Sequence, residues 1–393
     1  MGAGRPWLAA VSVLMAANGV MAISQTNIAS IYLPVSSDLH LSLYGLGILT
    51  SVYFACYGIF EIPGGIVAAR IGPKKIAILG GLLTSGAVIA GAVSPNFIAL
   101  ATTRALAGVG YGLLFPSVLV LMIRRLGTGS VGLGAALATI SFSLGGFFGV
   151  LGWSVLSAWV GWRPSLLIEG IITLASILAL LLAVPQDKLE PEFRVRLSDL
   201  KAAINRPMAA LALSILGGGA TAVLTATFLV YYLEVTFGMD PASAGLIGGA
   251  TYFTPLVTAV YAGRLYDRRT NPKYLLLVGA VFVTLATAVV AFPSVYTAAM
   301  GSVVAGLATG VGGTVAFSLA RDLATRKEYE SLNVSIIDAA SLVGLFVAPL
   351  YFSAIVLAWG YSAAWLIGSL TAVAFFVPVL FARFEKRGVP QAQ

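Results

Sequence analysis

Long apolar runs dominate the chain, and short clusters of charged residues with proline or glycine turns separate them. Each run is apolar for about 20 residues or more, the length that a helix needs to cross a bilayer. A transmembrane barrel would instead show segments of about ten residues with alternating polarity. The pattern therefore predicts twelve membrane-spanning helices, over residues 7–31, 45–69, 75–93, 97–121, 131–155, 163–184, 208–236, 242–265, 273–292, 295–320, 332–356 and 361–382.

The composition agrees with a membrane protein. Hydrophobic residues make up 59% of the 393 positions and charged residues 10%, whereas about a quarter of the residues in a soluble protein are charged. Intrinsic disorder is excluded because it requires low hydrophobicity. The first apolar run is longer than the core of a signal peptide, so we expect the protein to retain it as span one.

The positions of the basic residues predict the orientation of the spans. Every Lys and Arg except Arg104 and Arg163 falls at a terminus, in the central polar segment or at every second loop. The positive-inside rule places that side and both termini in the cytoplasm. The net charge of +8 is therefore a topology signal of a multi-pass cell-membrane protein, and we do not expect nucleic-acid binding.

The central polar segment separates two related halves of the sequence. A shift of 198 residues places Gly47 on Gly245. Further pairs at this shift, or at one residue more, are Arg70 with Arg268, Lys75 with Lys273, and Gly161 with Gly360. We predict an N-terminal six-helix bundle over 1–184, a cytoplasmic linker over 185–207 and a C-terminal six-helix bundle over 208–393. Two bundles that rock about a site between them offer a physical route to alternating access.

The residues that most enzymes need are scarce in this sequence. It contains one histidine, His40, one cysteine, Cys56, and no GxxxxGK[ST] loop. Histidine-based catalysis, a disulfide framework and a His or Cys metal site therefore lack their side chains. All seven lysines lie in or beside loops, which argues against a Schiff-base lysine inside the membrane. We predict a protein that is not an enzyme and binds no cofactor or metal.

Four short segments match known motifs. The segment Gly65–Lys75 is similar to the loop signature G-x-L-A-D-R-x-G-R-[RK]-[RK], and Gly263–Arg268 resembles its second copy. Arg104–Gly110 resembles R-x-x-x-G-x-G, and Gly161–Arg163 resembles the G-W-R that precedes span six. Together these motifs resemble those of the major facilitator superfamily, which implies an all-α membrane fold with twelve helices in two pseudo-symmetric bundles. The resemblance also implies a gating motif that contains Gly65, Arg70, Gly72, Gly263, Asp267 and Arg268.

Two departures from the family pattern bear on function. Ala69 stands where the signature has an acidic residue that helps to hold the cytoplasmic side closed, whereas Asp267 keeps this residue in the second half. Span five contains Ser143–Gly149 and lacks the glycine-proline pair of the drug/proton antiporters. The first departure puts in doubt that the first-half motif helps to hold the cytoplasmic side closed. The second disfavours multidrug export without excluding it.

Charged residues inside spans are costly and mark functional positions. Arg104 lies about 10 Å deep in span four and shares a helical face with Tyr111. Thr309 occupies the corresponding face of span ten, and the resemblance implies that both spans line the central cavity. The functional interpretation is that Arg104 contacts an anionic substrate or pairs with a titrating acid. The alternative is a structural ion pair, for which Glu169 lies at a similar depth.

Two further acidic residues suggest proton coupling. Glu61 in span two and Asp338 in span eleven both lie about 10–12 Å from the predicted cytoplasmic surface. The resemblance implies that these spans meet between the bundles, where two neighbouring carboxylates cannot both stay ionised. We predict that closure of the cytoplasmic side takes up a proton there, with Glu169 as a third candidate. The alternative is separate carboxylates that cap helices or pair with Arg70 and Arg321.

Uncharged polar side chains complete the candidate substrate site. In spans one and seven they recur at helical spacing, and the resemblance implies that these spans face each other across the cavity. Such groups suit a small hydrogen-bonding solute, although each threonine could instead bond its own helix or a neighbouring one. The candidates are Asn18, Gln25, Thr221, Thr225 and Tyr232.

Together these features predict a monomeric secondary transporter that works by alternating access and is coupled to protons. The spans hold one candidate basic residue, Arg104, against three acidic ones, which disfavours dicarboxylates and phosphate. The predicted substrate is a neutral polar solute or a monovalent organic acid. The alternatives are proton-coupled efflux of cationic or lipophilic compounds, and a channel or non-transporting receptor on the same fold.

Overall fold

The computed structural model describes residues 6–126, 131–186, 204–268, 271–324 and 330–384, and these residues form helices joined by short connections. The first half of the chain contributes α1 (Pro6–Ser30), α2 (Tyr32–Leu39), α3 (Leu43–Ile71), α4 (Pro73–Ala92), α5 (Phe97–Leu126), α6 (Val131–Val160) and α7 (Trp162–Ala183). The second half contributes α8 (Arg206–Phe237), α9 (Pro241–Phe253), α10 (Pro255–Asp267), α11 (Pro272–Val290), α12 (Val295–Asp322) and α13 (Glu330–Phe381).

Eleven helical stretches among the described residues are long and apolar enough to cross a membrane. The last of them, Leu332–Phe381, has 50 residues and contains Gly360, whose φ of 81° and ψ of 173° are not helical. Because the helix breaks at this glycine, the stretch comprises predicted spans eleven and twelve. The predicted all-α membrane fold is confirmed.

The ends of several helices follow from local sequence. Gly72 joins α3 to α4 with a φ of 105°, a conformation that favours glycine. Pro255 starts α10 directly after α9, because proline lacks the N–H that a continuous helix would need. Exposed Asp240 precedes α9, and its Oδ1 accepts the backbone N–H of Ser243 at 3.0 Å. Hydrogen bonds from Ser243 lower the pKa of Asp240 below its ordinary value.

The internal repeat is visible in equivalent contacts at a shift of 199 residues. Lys74 Nζ donates to the carbonyl oxygen of Leu181 at 2.7 Å, and Lys273 Nζ donates to that of Leu380 at 2.5 Å. Both lysines satisfy carbonyls near a helix C-terminus. Lys74, rather than Lys75, is therefore the equivalent of Lys273. The same shift relates a hydrogen bond between Ser85 and Gly170 to one between Ser369 and Thr284, and positive-φ Gly161 to Gly360.

Small residues bring helix backbones together at repeat-related positions. A Cβ atom on Gly145 of α6 would overlap the carbonyl oxygen of Gly19 in α1. The equivalent Gly344 of α13 sits in the same way against the carbonyl oxygen of Leu216 in α8. Such close approach is typical of helix packing in membranes, where interfaces favour small residues.

The described helices belong to two compact units. Of the described residues, unit one contains those within Met1–Glu192 and Thr227–Tyr252, and unit two contains those within Phe193–Ala226 and Phe253–Gln393. Within unit one, Gly146 contacts the ring of Tyr252, and Phe147 lies against Gly249. The end of α8 and all but the last residue of α9 thus belong to the same unit as α1 to α7.

The predicted linker 185–207 lies largely outside the described residues, as do the basic residues Arg5, Lys188, Arg194, Arg196, Lys201, Arg269, Arg326, Lys327, Lys386 and Arg387. The division into bundles at 1–184 and 208–393 remains a prediction.

Candidate functional site

A cluster of buried polar side chains lies inside unit one, where α1, α3, α5 and α7 contribute to it. Asn27 Nδ2 donates a hydrogen bond to Oε2 of Glu169, and both side chains are 0% exposed. Arg104 Nη1 donates to the backbone oxygen of Ser24 at 2.8 Å. The guanidinium also lies over the ring of Tyr53, 4.5 Å from its centroid. Four helices thus place a cation and a carboxylate in one apolar interior.

Arg104 and Glu169 are neighbours without a direct ion pair. No nitrogen–oxygen contact within 4.0 Å joins these two described residues, although their charges interact through space. The hydrogen-bond partner of Glu169 is Asn27, which the sequence analysis did not select. The sequence feature that could have indicated Asn27 is a second amide side chain, two residues after Gln25, in the apolar run of span one.

The cluster contains polar atoms that have no hydrogen-bond partner. These atoms are Nε and Nη2 of Arg104, Oε1 of Glu169, Oδ1 of Asn27 and Oγ of Ser24. A cavity of about 10 Å³ borders Asn27, Thr103 and Arg104. That volume fits one water molecule and is far too small for an organic solute. The chemistry available here is protonation and the rearrangement of hydrogen bonds.

Four of the uncharged substrate candidates form hydrogen bonds within their own unit. Asn18 Nδ2 donates to the carbonyl oxygen of Ala138 and to Oγ of Ser141, both at 2.9 Å, and so ties α1 to α6. Three threonine hydroxyls donate to carbonyl oxygens of their own helices, in the pairs Thr221 with Gly217, Thr225 with Ala222, and Thr309 with Ala305. This arrangement satisfies each donor and leaves acceptor lone pairs on the hydroxyls.

The remaining substrate candidates differ in their surroundings. Gln25 is half-buried, and its Oε1 has no partner. The ring of Tyr111 stacks on Phe115 with centroids 5.8 Å apart. Tyr232 lies edge-on to Phe237 at 5.5 Å. Unit one holds Asn18, Gln25, Arg104, Tyr111 and Tyr232, and unit two holds Thr221, Thr225 and Thr309. Their assembly into one pocket remains a prediction.

The other proton-coupling candidates occupy separate units. Glu61 on α3 is half-buried in unit one, and Asp338 on α13 is half-buried in unit two. Both carboxylates have a polar or electrostatic interaction in the structure, so neither is without a partner. The meeting of the two carboxylates remains a prediction.

The gating motif lies at the ends of helices in both halves. Arg70 is exposed in the last turn of α3, next to the turn at Gly72, and half-buried Gly65 lies within α3. In the second half, Gly263 and exposed Asp267 belong to α10, and Arg268 follows them as its C-cap. Beside these residues, Tyr266 donates a hydrogen bond to Oδ2 of Asp322 at 2.6 Å, a contact that the motif did not predict.

Besides Glu169, a second carboxylate is buried, and the sequence analysis did not select it. Glu234 near the end of α8 is 7% exposed, and its Oε2 has no hydrogen-bond partner. It lies two residues before the predicted end of span seven, where charged residues usually reach water. Earlier on α8, Phe228 and Tyr231 pack against Tyr32 of α2, with ring centroids 6.1 Å and 6.2 Å apart.

Buried charges inside a set of apolar membrane-spanning helices are features of a multi-pass membrane transporter. The sequence model of the Major Facilitator Superfamily matches residues 14–236 and 210–393. The chain belongs to this family, whose fold is that of transporters.

Full-length relatives agree with this assignment. The chain is 27% identical over 381 residues to a chloramphenicol resistance protein of Streptomyces lividans, covering 92% of this chain and 93% of that one. Among solved structures, the chain matches a bacterial homologue of the human lysosomal transporter Spinster, in an inward-facing and occupied conformation. The TM-score is 0.77 and the sequence identity 16%, and the match covers 97% of this chain and 96% of that one. A POT family transporter in complex with a thioalcohol-conjugated peptide matches with a TM-score of 0.79, 13% identity and coverage of 94% and 95%.

Proposed function

We propose that this protein is a secondary transporter that moves a small organic solute across the cell membrane by alternating access, coupled to protons. The solute is neutral and polar, or a monovalent organic acid. The balance of charged candidates in the apolar spans supports this choice, because one basic residue, Arg104, stands against the acidic residues Glu61, Glu169 and Asp338. A dicarboxylate or a phosphate would require additional cationic groups. The protein acts as a monomer with both termini in the cytoplasm.

The observation that carries the proposal is the contact of Asn27 with Glu169 beside Arg104. Ionisable groups at membrane depth mark ion and proton pathways. A proton on Glu169 removes the negative charge that faces Arg104 and changes its hydrogen bond with Asn27. Because α1, α5 and α7 supply these three side chains, protonation acts on how the helices pack. Glu61 and Asp338 provide a second protonation step on the side of the basic loops.

The test is solute uptake by purified protein in liposomes, with and without an inward proton gradient. A panel of neutral polar solutes, monovalent acids, dicarboxylates and lipophilic cations identifies the substrate class. We expect the gradient to raise accumulation in the wild type and to have no such effect in Glu169→Gln. The control is Asp240→Asn, which makes the same carboxylate-to-amide change at an exposed helix cap and keeps a good capping side chain.

Two results would contradict the proposal. One is a gradient response in Glu169→Gln that equals the wild-type response. The other is a substrate class limited to dicarboxylates or phosphate.

Export of lipophilic or cationic compounds is the second candidate function. Its specific support is the full-length similarity to a chloramphenicol resistance protein. Chloramphenicol is an uncharged amide with two hydroxyl groups, so it also fits a polar site without excess charge. In cells, expression should raise the chloramphenicol concentration that stops growth, and Glu169→Gln should abolish this increase. Uptake of a polar solute without any protection against lipophilic compounds would exclude export of this kind.

A further inference from the structure

An apolar groove of about 350 Å³ runs along unit two between α11 and the last span of α13. The side of α11 contributes Leu277, Val281 and Leu285, and the side of α13 contributes Val373, Val377 and Leu380. Several of these side chains are 41–55% exposed. Since both helices cross the membrane, the groove faces lipid hydrocarbon rather than water.

The groove has a cationic end. Lys273 lies in the first turn of α11, and Leu277, Val281 and Leu285 follow it at intervals of four residues on one helical face. Lys273 Nζ donates to the backbone oxygens of Leu380 at 2.5 Å and Ala382 at 3.3 Å. These bonds hold the ammonium group at the end of the groove, with one N–H left for another acceptor. Exposed Arg383 is the next residue after Ala382.

The length of the groove matches one leaflet. From Lys273 to Leu285 the helix rises about 18 Å at 1.5 Å per residue. One leaflet of the hydrocarbon core is about 15 Å thick. An acyl chain in the groove would therefore extend from the headgroup level, beside Lys273, to the middle of the bilayer.

We propose that this groove binds one acyl chain of an anionic phospholipid, with the lipid phosphate at Lys273 and Arg383. The apolar walls provide affinity for the chain, and the two cations select an anionic headgroup by charge complementarity. The site is separate from the buried cluster of unit one and does not depend on the transported solute.

The first half of the chain offers an internal comparison. At the shift of 199 residues, Ala280 and Phe376 of the groove correspond to Gly81 and Ile177. The Ile177 side chain lies so close to Gly81 that a Cβ atom there would overlap it, so α4 and α7 are in direct contact at this point. Lys74 caps α7 there as Lys273 caps α13. The lysine is thus repeated in both halves, whereas in the first half Ile177 packs directly on the position that corresponds to Ala280.

Native mass spectrometry of the purified full-length protein tests the proposal. The protein is equilibrated in detergent with equal amounts of phosphatidylglycerol and phosphatidylcholine, and the retained lipids are counted. We expect one phosphatidylglycerol to be retained preferentially. Lys273→Gln should lower this preference about fivefold, since one basic residue at the membrane surface is worth about 1 kcal/mol. Lys74→Gln removes the equivalent helix cap and should leave the preference unchanged.

A second variant tests the groove itself. Ala280→Leu fills the groove and leaves both cations in place, so the bound lipid should be lost while the protein remains folded and monodisperse. Equal retention of the two lipids by the wild type would overturn the proposal. So would equal losses in Lys273→Gln and Lys74→Gln, or unchanged retention in Ala280→Leu. Solute uptake is not part of this readout, so failure here leaves the transport proposal intact.

Discussion

Replacing Asn27 with alanine removes the hydrogen bond that the buried carboxyl of Glu169 receives from α1. Both side chains are fully buried, so no bulk water replaces the lost donor. The cost depends on the charge of Glu169. Neutral hydrogen bonds between membrane helices contribute about 0.6 kcal/mol on average, whereas bonds to charged groups contribute about 1.5–3 kcal/mol. The size of the effect therefore reports the protonation state.

A double-mutant cycle of Asn27→Ala and Glu169→Gln isolates the charge-dependent part of this bond. We expect a coupling energy of about 1 kcal/mol or more at a pH at which the carboxyl is ionised. The coupling energy should fall as the pH is lowered and Glu169 takes up a proton, because the donor amide of Asn27 prefers the charged acceptor. Unfolding free energies in mixed micelles, measured at about pH 8 and about pH 5, give both values.

The control cycle uses Asn18→Ala and Ser141→Ala. Asn18 lies on the same helix, is equally buried and bonds a neutral hydroxyl at 2.9 Å, so its coupling energy should not change between the two pH values. A coupling energy of Asn27 with Glu169 that is small and independent of pH, like that of the control, would refute the proposed protonation of Glu169.

Three further predictions concern the packing and use four substitutions, one of which is a control. Gly145→Ala should destabilise the protein by about 1–3 kcal/mol, because the new Cβ overlaps the carbonyl of Gly19. The control Gly152→Ala has open space around the new Cβ and should be neutral or stabilising. Thermal unfolding of both variants checks this prediction. Gly360→Ala should cost about 1–2 kcal/mol, since φ there is 81°, and unchanged stability would contradict the helix break. Arg163→Ala should increase proteolysis of the loop after α4, because Arg163 donates to the carbonyl oxygens of Ala92 and Ser94, and an unchanged cleavage rate would contradict this.

The sequence predicted the membrane fold well because its signals are local. Continuous apolar runs of about 20 residues have few other structural solutions, and each helix satisfies its own backbone in lipid. The repeat was also detectable, since Gly161 and Gly360 share a sequence context and have φ values of 88° and 81°. The predicted shift of 198 residues paired Lys273 with Lys75. The structure pairs it with Lys74, at a shift of 199, because Lys74 is the lysine that bonds the end of α7.

The contacts of the buried cluster were beyond sequence analysis. The depth of Arg104 and of Glu169 could be counted along their helices, but the rotation of α1 that presents Asn27 to Glu169 depends on packing between helices. That rotation is fixed by contacts such as Gly145 on Gly19, which no helical period specifies. Glu234 was missed for a related reason. Its position near a helix end predicts exposure, whereas packing between helices leaves it 7% exposed.

Counterflow in proteoliposomes tests the central claim, alternating access, most directly. Liposomes that contain the protein are loaded with a high concentration of unlabelled solute, from the class that the uptake panel identifies, and diluted into a trace of the labelled solute without a proton gradient. A carrier that exposes one site to each side in turn should accumulate the label transiently above its external concentration. A label that only equilibrates, at a rate that does not saturate with solute concentration, would identify a channel and contradict the account.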